Sequence, residues 1–293
     1  MAPVIRRPRI SIEILQSNNL QELGWLVHGF STRRGGVSAV YGGKALNLGF
    51  TADDSRAAVE HNRRAFLKAL GAANGGERVW PLASLHQIHS SVIHGVEAVP
   101  RQPIKGDGMI TARRGLLLAI KTADCLPVLL ADRRQHAIGA LHAGWRGTLA
   151  RIVEKGVGEM RRRFGSRPQD LVAAIGPGIH RCCYQVGEEV RDKYFSQFAY
   201  AQELFEDVFD SDPVRRKYPL LFLNQRAPGH GEPPRSVHLD LVEATWRQLL
   251  SAGVPEKNIS ASELCTSCRA DLLFSHRKEK GVTGRMLAVI GIR

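Results

Sequence analysis

Two short apolar runs, Leu126 to Ala131 and Ala137 to Leu141, are separated by little more than Arg133-Arg134. Each run is too short for a core helix and rich in strand-forming residues, so the pair predicts two neighbouring extended strands with the arginines at their exposed link. This constrains the fold strongly, because an antiparallel pair returns the chain to its starting point. Cys125 lies near the start of the first strand and His142 near the end of the second. Such a pair brings the two side chains close enough to share one ligand or one proton. Gly144 and Gly147 follow His142, and Thr148 reads as the N-cap of the next helix. A helix start beside such a pair suits an anion or an activated water.

At 293 residues and 43% hydrophobic content, the chain can bury one large core or two moderate ones. No apolar run reaches the roughly 18 residues of a membrane helix. The N-terminus begins with Arg6, Arg7 and Arg9, but Glu13, Gln16, Asn18 and Glu22 break what would be the apolar part of a signal peptide. The five cysteines are an odd number and make no disulfide framework. These features predict a reduced, cytoplasmic protein without a membrane partner. The net charge of +13 raises the question of nucleic acid. However, the arginines fall in scattered pairs and triples, such as Arg161 to Arg163, and are not interleaved with aromatics. A solvated basic surface, or a site that accepts phosphate, fits them better.

Along the chain, Trp25 to Phe30 predicts a strand that runs into the loop Ser31 to Gly36, and a second glycine-bearing loop ends in Leu46-Asn47-Leu48-Gly49. Asp53 or Asp54 is placed to cap a helix reaching about Leu70, with Asn62 and Arg63 on its polar, exposed side. Between Pro81 and Val99, a strand would put Gln87 and His89 on one face and His86 and Ile88 on the other. Gly106-Asp107-Gly108 predicts a tight turn. A helix is expected from Thr148 to a stop at Gly165, and a buried strand over Leu171 to Ile175. A helix around Glu188 to Phe198 and an amphipathic helix over His238 to Leu250 follow. Asn258 to Leu264 and Met286 to Ile292 read as strands. Residues 199–236 are charged and proline-rich and predict an irregular surface excursion. With no repeat and no linker, one α/β domain over 1–293 is the economical organisation.

Three constellations can carry chemistry. His89, Cys125 and His142 supply the two imidazoles and one thiolate that suit a catalytic zinc with an open position. Alternatively, Cys125 is a nucleophile with His142 as base and Asp124 or Asp107 as orienter. The third is Cys265-x-x-Cys268, joined or not by Cys182 and Cys183; its adjacent pair makes a poor second hook for a structural metal. Asp124 poses a geometric problem, because in an extended chain it points away from Cys125. It reaches the site only if the chain bends before Pro127.

Several blocks carry a resemblance: GDGMIT (Gly106 to Thr111), TADCLPVLLAD (Thr122 to Asp132), GALHAGWRGT (Gly139 to Thr148), AIGPGI (Ala174 to Ile179) and FSHRK…TGRM (Phe274 to Met286). To these add HGFSTRRGGVS (His28 to Ser38), LNLG (Leu46 to Gly49), Asn62-Arg63 and QIHS (Gln87 to Ser90). With them the chain resembles the YfiH-type family, whose members are called laccase-domain, polyphenol oxidoreductase or purine nucleoside phosphorylase proteins. The resemblance spans nearly the whole chain apart from about 199–236. It implies a mixed α/β (α+β) fold, a single-domain four-layer α/β/β/α sandwich with mixed sheets. It places a zinc site on His89, Cys125 and His142. The implied activity is phosphorolysis of adenosine, inosine and methylthioadenosine, with adenosine deamination as a second reaction. The partners would then be purine nucleosides and phosphate. Asp107, Asp124 and Cys125 are the candidate catalytic residues, and Asn47, Arg63, Gln87, Arg146 and Arg33 are candidates for holding substrate or phosphate. A copper-dependent polyphenol oxidase, using Cu2+ at the same site, and a metal-free cysteine hydrolase acting on cell-wall precursors are the competing readings.

Overall fold

The computed structural model describes residues 12–73, 78–209 and 235–293. The chain divides into two compact units, Met1–Ile179 with Val242–Arg293, and His180–Leu241.

The first unit is built on two mixed sheets, to which a short helix α1 (Asn18–Gln21) and a strand β3 (Arg34–Ser38) outside both are added. In one, five strands lie in the order β1 (Ile14–Leu15), β2 (Leu26–Ser31), β15 (Met286–Ile292), β7 (Leu117–Thr122) and β4 (Leu82–Ser84). In the other, six strands lie in the order β14 (Ile259–Ala261), β10 (Leu171–Ile175), β8 (Leu126–Asp132), β9 (Ile138–Ala143), β6 (Gly108–Thr111) and β5 (Ile93–Gly95). The central pairs are antiparallel, while β4–β7, β10–β14 and β5–β6 are parallel.

Strand alternation explains the layering. Leu118 and Ile120 of β7, with Ala288 and Ile290 of β15, pack against Leu129 and Ala131 of β8 and Ile138 and Ala140 of β9. That is the core between the sheets. The intervening residues Leu117, Ala119, Leu287 and Val289 face outward and bury Phe66 and Leu67 of α2 (Arg56–Ala69). On the far side α4 (Ile152–Phe164) buries Ile152, Val153, Val157 and Met160. Gly156 admits Leu141 of β9: a Cβ there would come within 2.6 Å of its Cδ1. The first unit is therefore a four-layer α/β/β/α arrangement, and the expected mixed α/β fold is observed.

Local differences from the sequence reading have physical causes. The helix after the glycines does not begin at Thr148. Instead a short α3 (Trp145–Leu149) is capped by Gly144, and the left-handed Arg151 (φ 60°) breaks it from α4. Gly165, at φ 68°, ends α4 where expected. The cap of α2 is Ser55, whose hydroxyl accepts from the Ala58 amide, and not Asp53 or Asp54. Between Pro81 and Val99 the residues Gln87 and His89 do not lie in a strand. Only Leu82–Ser84 and Ile93–Gly95 are strand, and His89 between them has φ 58°.

The second unit contains α5 (Glu188–Phe195), α6 (Ala201–Leu204) and a sheet ordered β11 (Gln185–Val186), β13 (Arg235–Leu239), β12 (Phe205–Phe209). His238 and Leu239 thus end a strand, and the helix expected from His238 begins later, as α7 (Leu241–Ser251). Of the excursion expected at about 199–236, the ends that are described form regular structure; residues 210–234 lie outside the described residues. No described helix is long and apolar enough to cross a membrane.

Candidate metal centre

The β8–β9 ladder pairs Pro127 with His142 and Leu126 with Ala143. Cys125 therefore stands one position before the strand, diagonal to His142 on the same face, so the two approach without being direct partners. His89 arrives from the loop after β4, where its left-handed backbone turns the chain toward them. The donor atoms of His89, Cys125 and His142 all lie within 4.8 Å of one another, and the two imidazoles meet edge to face with centroids 4.9 Å apart. Gly144 closes the site from the other side. A Cβ there would come within 2.8 Å of the Cys125 sulfur and 3.2 Å of His89 Cδ2. Gly147 is similarly confined, its virtual Cβ lying 3.0 Å from the Ser90 carbonyl and 3.3 Å from that of His142. The two glycines of HAGWRGT thus let backbone approach the donors.

Asp107 organises the group. It is fully buried at the start of β6, and its Oδ1 accepts from His142 Nδ1 (2.8 Å) and the His89 amide (3.0 Å). Its Oδ2 accepts from the Ile88 amide (3.2 Å), the Ser90 amide (2.6 Å) and the Ser90 hydroxyl (2.7 Å). Burial opposes its charge, yet the donors from His142 and Ser90 outweigh burial and hold the carboxyl well below the usual range. With Nδ1 donating to Asp107, His142 turns Nε2 toward Cys125 as the free donor atom. Burial also opposes charge on Cys125 and His142. For the thiol, the charge and hydrogen bonding of His142, followed by those of His89, prevail and bring it down to about 6. For the imidazole, the Cys125 charge and the Asp107 hydrogen bond prevail and raise it to about 9. Cys125 therefore favours the thiolate, the form that binds metal or attacks carbon.

The other candidates are placed differently. The chain does bend at Asp124 (φ 103°), but its carboxylate accepts from the Thr266 hydroxyl (2.7 Å), the Ser275 hydroxyl (2.7 Å) and the Arg277 amide (2.6 Å). It braces the 266–277 segment and makes no hydrogen bond to the three donors. Asn47 is fully buried and spends both ends of its amide. Nδ2 donates to Gly49 O and Asp54, and Oδ1 accepts from the Gly49 and Arg285 amides. Gln87 pairs both ways with the Lys121 backbone, at 2.8 and 2.9 Å. Arg63 is half-buried, donates to Leu48 O at 2.7 Å and stacks over Phe50. Arg146 is exposed and lies over its neighbour Trp145. Arg33 is committed elsewhere, to Glu279, Ala270 O and Tyr41 O. Asn62, expected on an exposed face, is fully buried. It donates to the Ser38 hydroxyl, Ala45 O and Asn47 O, and accepts from the Val37 amide.

Fold and site together define a class: an α/β/β/α protein with a two-imidazole, one-thiolate donor set held at one end of its central hairpin. The chain belongs to the family described as multi-copper polyphenol oxidoreductase laccase, whose family model matches residues 27–293. It is 37% identical, over 99% of its length and 93% of the relative's, to a purine nucleoside phosphorylase of Deinococcus radiodurans. It is 34% identical, over 92% of its length and 95% of the relative's, to the purine nucleoside phosphorylase YlmD of Geobacillus stearothermophilus. Among solved structures, the hypothetical protein YfiH of Bacillus licheniformis superposes with a TM-score of 0.77 at 30% identity, covering 99% of this chain and 98% of that one. The crystal structure of YlmD from Geobacillus stearothermophilus gives a TM-score of 0.75 at 32% identity, covering 97% and 99%. The relatives' names support an enzyme of the nucleoside phosphorylase kind.

Proposed function

We propose that the protein is a zinc-dependent purine nucleoside enzyme. It would cleave adenosine, inosine and methylthioadenosine with phosphate and deaminate adenosine as a second reaction. The observation that carries this reading is the convergence of His89, Cys125 and His142 around a thiol shifted toward thiolate, in a chain whose relatives are named purine nucleoside phosphorylases. Two imidazoles and one thiolate fit zinc, leaving the fourth position for a reactant. When bound there, the ion supplies Lewis-acid polarisation and lowers the pKa of a water toward neutrality. The chain's own residues do the rest. Asp107 holds His142 in the tautomer that presents Nε2, and keeps His89 in place through its backbone. Cys125 contributes negative charge to the donor set. Arg63 and Arg146 supply cationic donors for phosphate, and charge-assisted contacts of this kind are the strong ones. Asn47, Gln87 and Asp124 act by positioning the loops that carry the others.

The test is metal identity and occupancy in protein purified without added metal, in wild type and in Cys125→Ser, alongside inosine phosphorolysis. Zinc near one per chain, lost in the variant together with phosphate-dependent release of hypoxanthine, is expected. No metal and no phosphorolysis would end the proposal. The family's description favours a second reading, a copper-dependent phenol oxidase. A multi-copper centre needs several copper sites in concert, whereas this donor set serves one ion. Oxygen uptake with a phenol, at a rate tracking copper content, would revive it.

A further inference from the structure

Three cations meet at the end of the five-stranded sheet, around the loop residue Leu48. Arg63 of α2 donates through Nε to the Leu48 carbonyl at 2.7 Å, and the Leu48 amide donates to the Arg285 carbonyl at 2.9 Å. The Arg285 stem lies against Gly49, where a Cβ would come within 2.6 Å of its Cβ and Cγ. Lys121 is the ladder partner of Leu287, two residues past Arg285. Leu117 and Ala119 face α2, and the alternation of β7 puts Lys121 on that same side. Burial first, then the charges of Arg63 and Arg285, lower the pKa of Lys121.

Among the described residues, no carboxylate lies within ion-pairing distance of these three groups. Glu60, one turn before Arg63, is paired with Arg56 at 2.8 Å. Arg285 Nη1 donates only to the neighbouring carbonyls of Thr283 and Gly284. The Lys121 ammonium makes no hydrogen bond to a described residue. Glu60 still attracts Arg63 from a distance, but partly buried cations held together with no described carboxylate in ion-pairing contact repel one another, and such a cluster favours an anion. The cluster is also tied to the metal centre. The Gln87 amide clasps the Lys121 backbone on both sides, and Gln87 stands two residues before His89.

We propose that Arg63, Lys121 and Arg285 form an oxyanion subsite serving the His89/Cys125/His142 centre. It takes a tetrahedral phosphoryl group, as inorganic phosphate or as the 5′-phosphate of a nucleotide. The subsite deepens the phosphorolysis reading and rests on it for its role in catalysis, but its ability to bind an anion can be measured alone. Lys121 carries the test, because its ammonium makes no hydrogen bond to another described residue.

Metal-loaded wild type, Lys121→Met and Lys121→Arg are titrated calorimetrically with inorganic phosphate and, separately, with inosine 5′-monophosphate; Lys257→Gln, on the exposed surface, controls for net charge. Removing one charge-assisted contact predicts a roughly tenfold to hundredfold weaker anion affinity in Lys121→Met, restored in Lys121→Arg. Lys257→Gln leaves it unchanged. Dependence on Lys121 for free phosphate identifies that source, and dependence for the nucleotide alone identifies the other. Wild-type affinity for both anions in Lys121→Met, or no anion binding by wild type, overturns the subsite. If inosine is not cleaved while phosphate binding still depends on Lys121, the phosphorolysis reading falls and the subsite stands. Phosphorolysis with a phosphate KM indifferent to Lys121→Met gives the reverse.

Discussion

Replacing Asp107 with asparagine isolates the contribution of one buried carboxylate to the candidate metal centre. Asp107 accepts five hydrogen bonds, two on Oδ1 and three on Oδ2. An asparagine has one oxygen and one amide nitrogen and cannot serve both groups. Turning its oxygen to the larger group, the Ile88 and Ser90 donors, keeps three bonds. Its nitrogen then faces the His89 amide and His142 Nδ1. The part-buried His89 amide loses its acceptor, which costs on the order of 1 kcal/mol. To accept from the new nitrogen, His142 must move its proton to Nε2, the atom that would ligate a metal. A metal-supporting carboxylate of this kind is worth about 10–100-fold in metal affinity. Chelator competition should therefore show zinc binding weakened to that extent, and thermal unfolding of the metal-free protein should fall by several degrees. The sign with pH follows from the depressed carboxyl. The stabilisation is fully present above the ordinary carboxylate range and is lost as pH falls through the lower folded value. The gap between wild type and variant should accordingly close in strong acid. Wild-type zinc affinity in a folded Asp107→Asn would refute the role given to this residue.

Three further expectations follow from the same geometry. Because the Cys125 thiol lies at about 6, alkylation of the metal-free protein by iodoacetamide should change little above neutral pH, where an ordinary thiol still accelerates; bound metal should block it, and a normal rising profile would contradict the shift. Gly144→Ala should leave the fold intact but displace Cys125 and His89, seen as lost metal occupancy with unchanged circular dichroism. Asp124→Ala should strip three hydrogen bonds from residues 266–277 and destabilise the chain by about 2–4 kcal/mol, with proteolysis opening in that segment while zinc affinity persists; loss of zinc at wild-type stability would argue for a direct catalytic role instead.

Much of this was legible from consecutive residues. The apolar runs around Arg133-Arg134 specify the β8–β9 hairpin, and Leu171 to Ile175 is the strand β10 as read. Both depend on local periodicity, which any stretch carries within itself. The residue types of the donor set were visible as one of three constellations, but no local spacing singled out His89, Cys125 and His142, and it was the family resemblance that chose them. Other features depend on packing between distant segments, and no local pattern encodes them. Asn62 reads as an exposed polar residue until residues 37–47 cover it. Asp107 and Asp124 read as equal candidates to orient His142, and only the fold gives that place to Asp107, which also gathers the amides of Ile88 to Ser90. Asp124 turns to Thr266 and Ser275, more than a hundred residues onward. Lys121 lies near the end of β7 and Arg285 just before β15, and only the β7–β15 register brings their charges together. The sequence by itself determined which strands form and which atoms are available to hold a metal, because propensity and chemistry reside in single residues and their near neighbours. The tertiary structure decided which buried polar groups orient those atoms and where a negative charge is favoured, because desolvation and Coulomb interactions depend on distances through space that no spacing along the chain records.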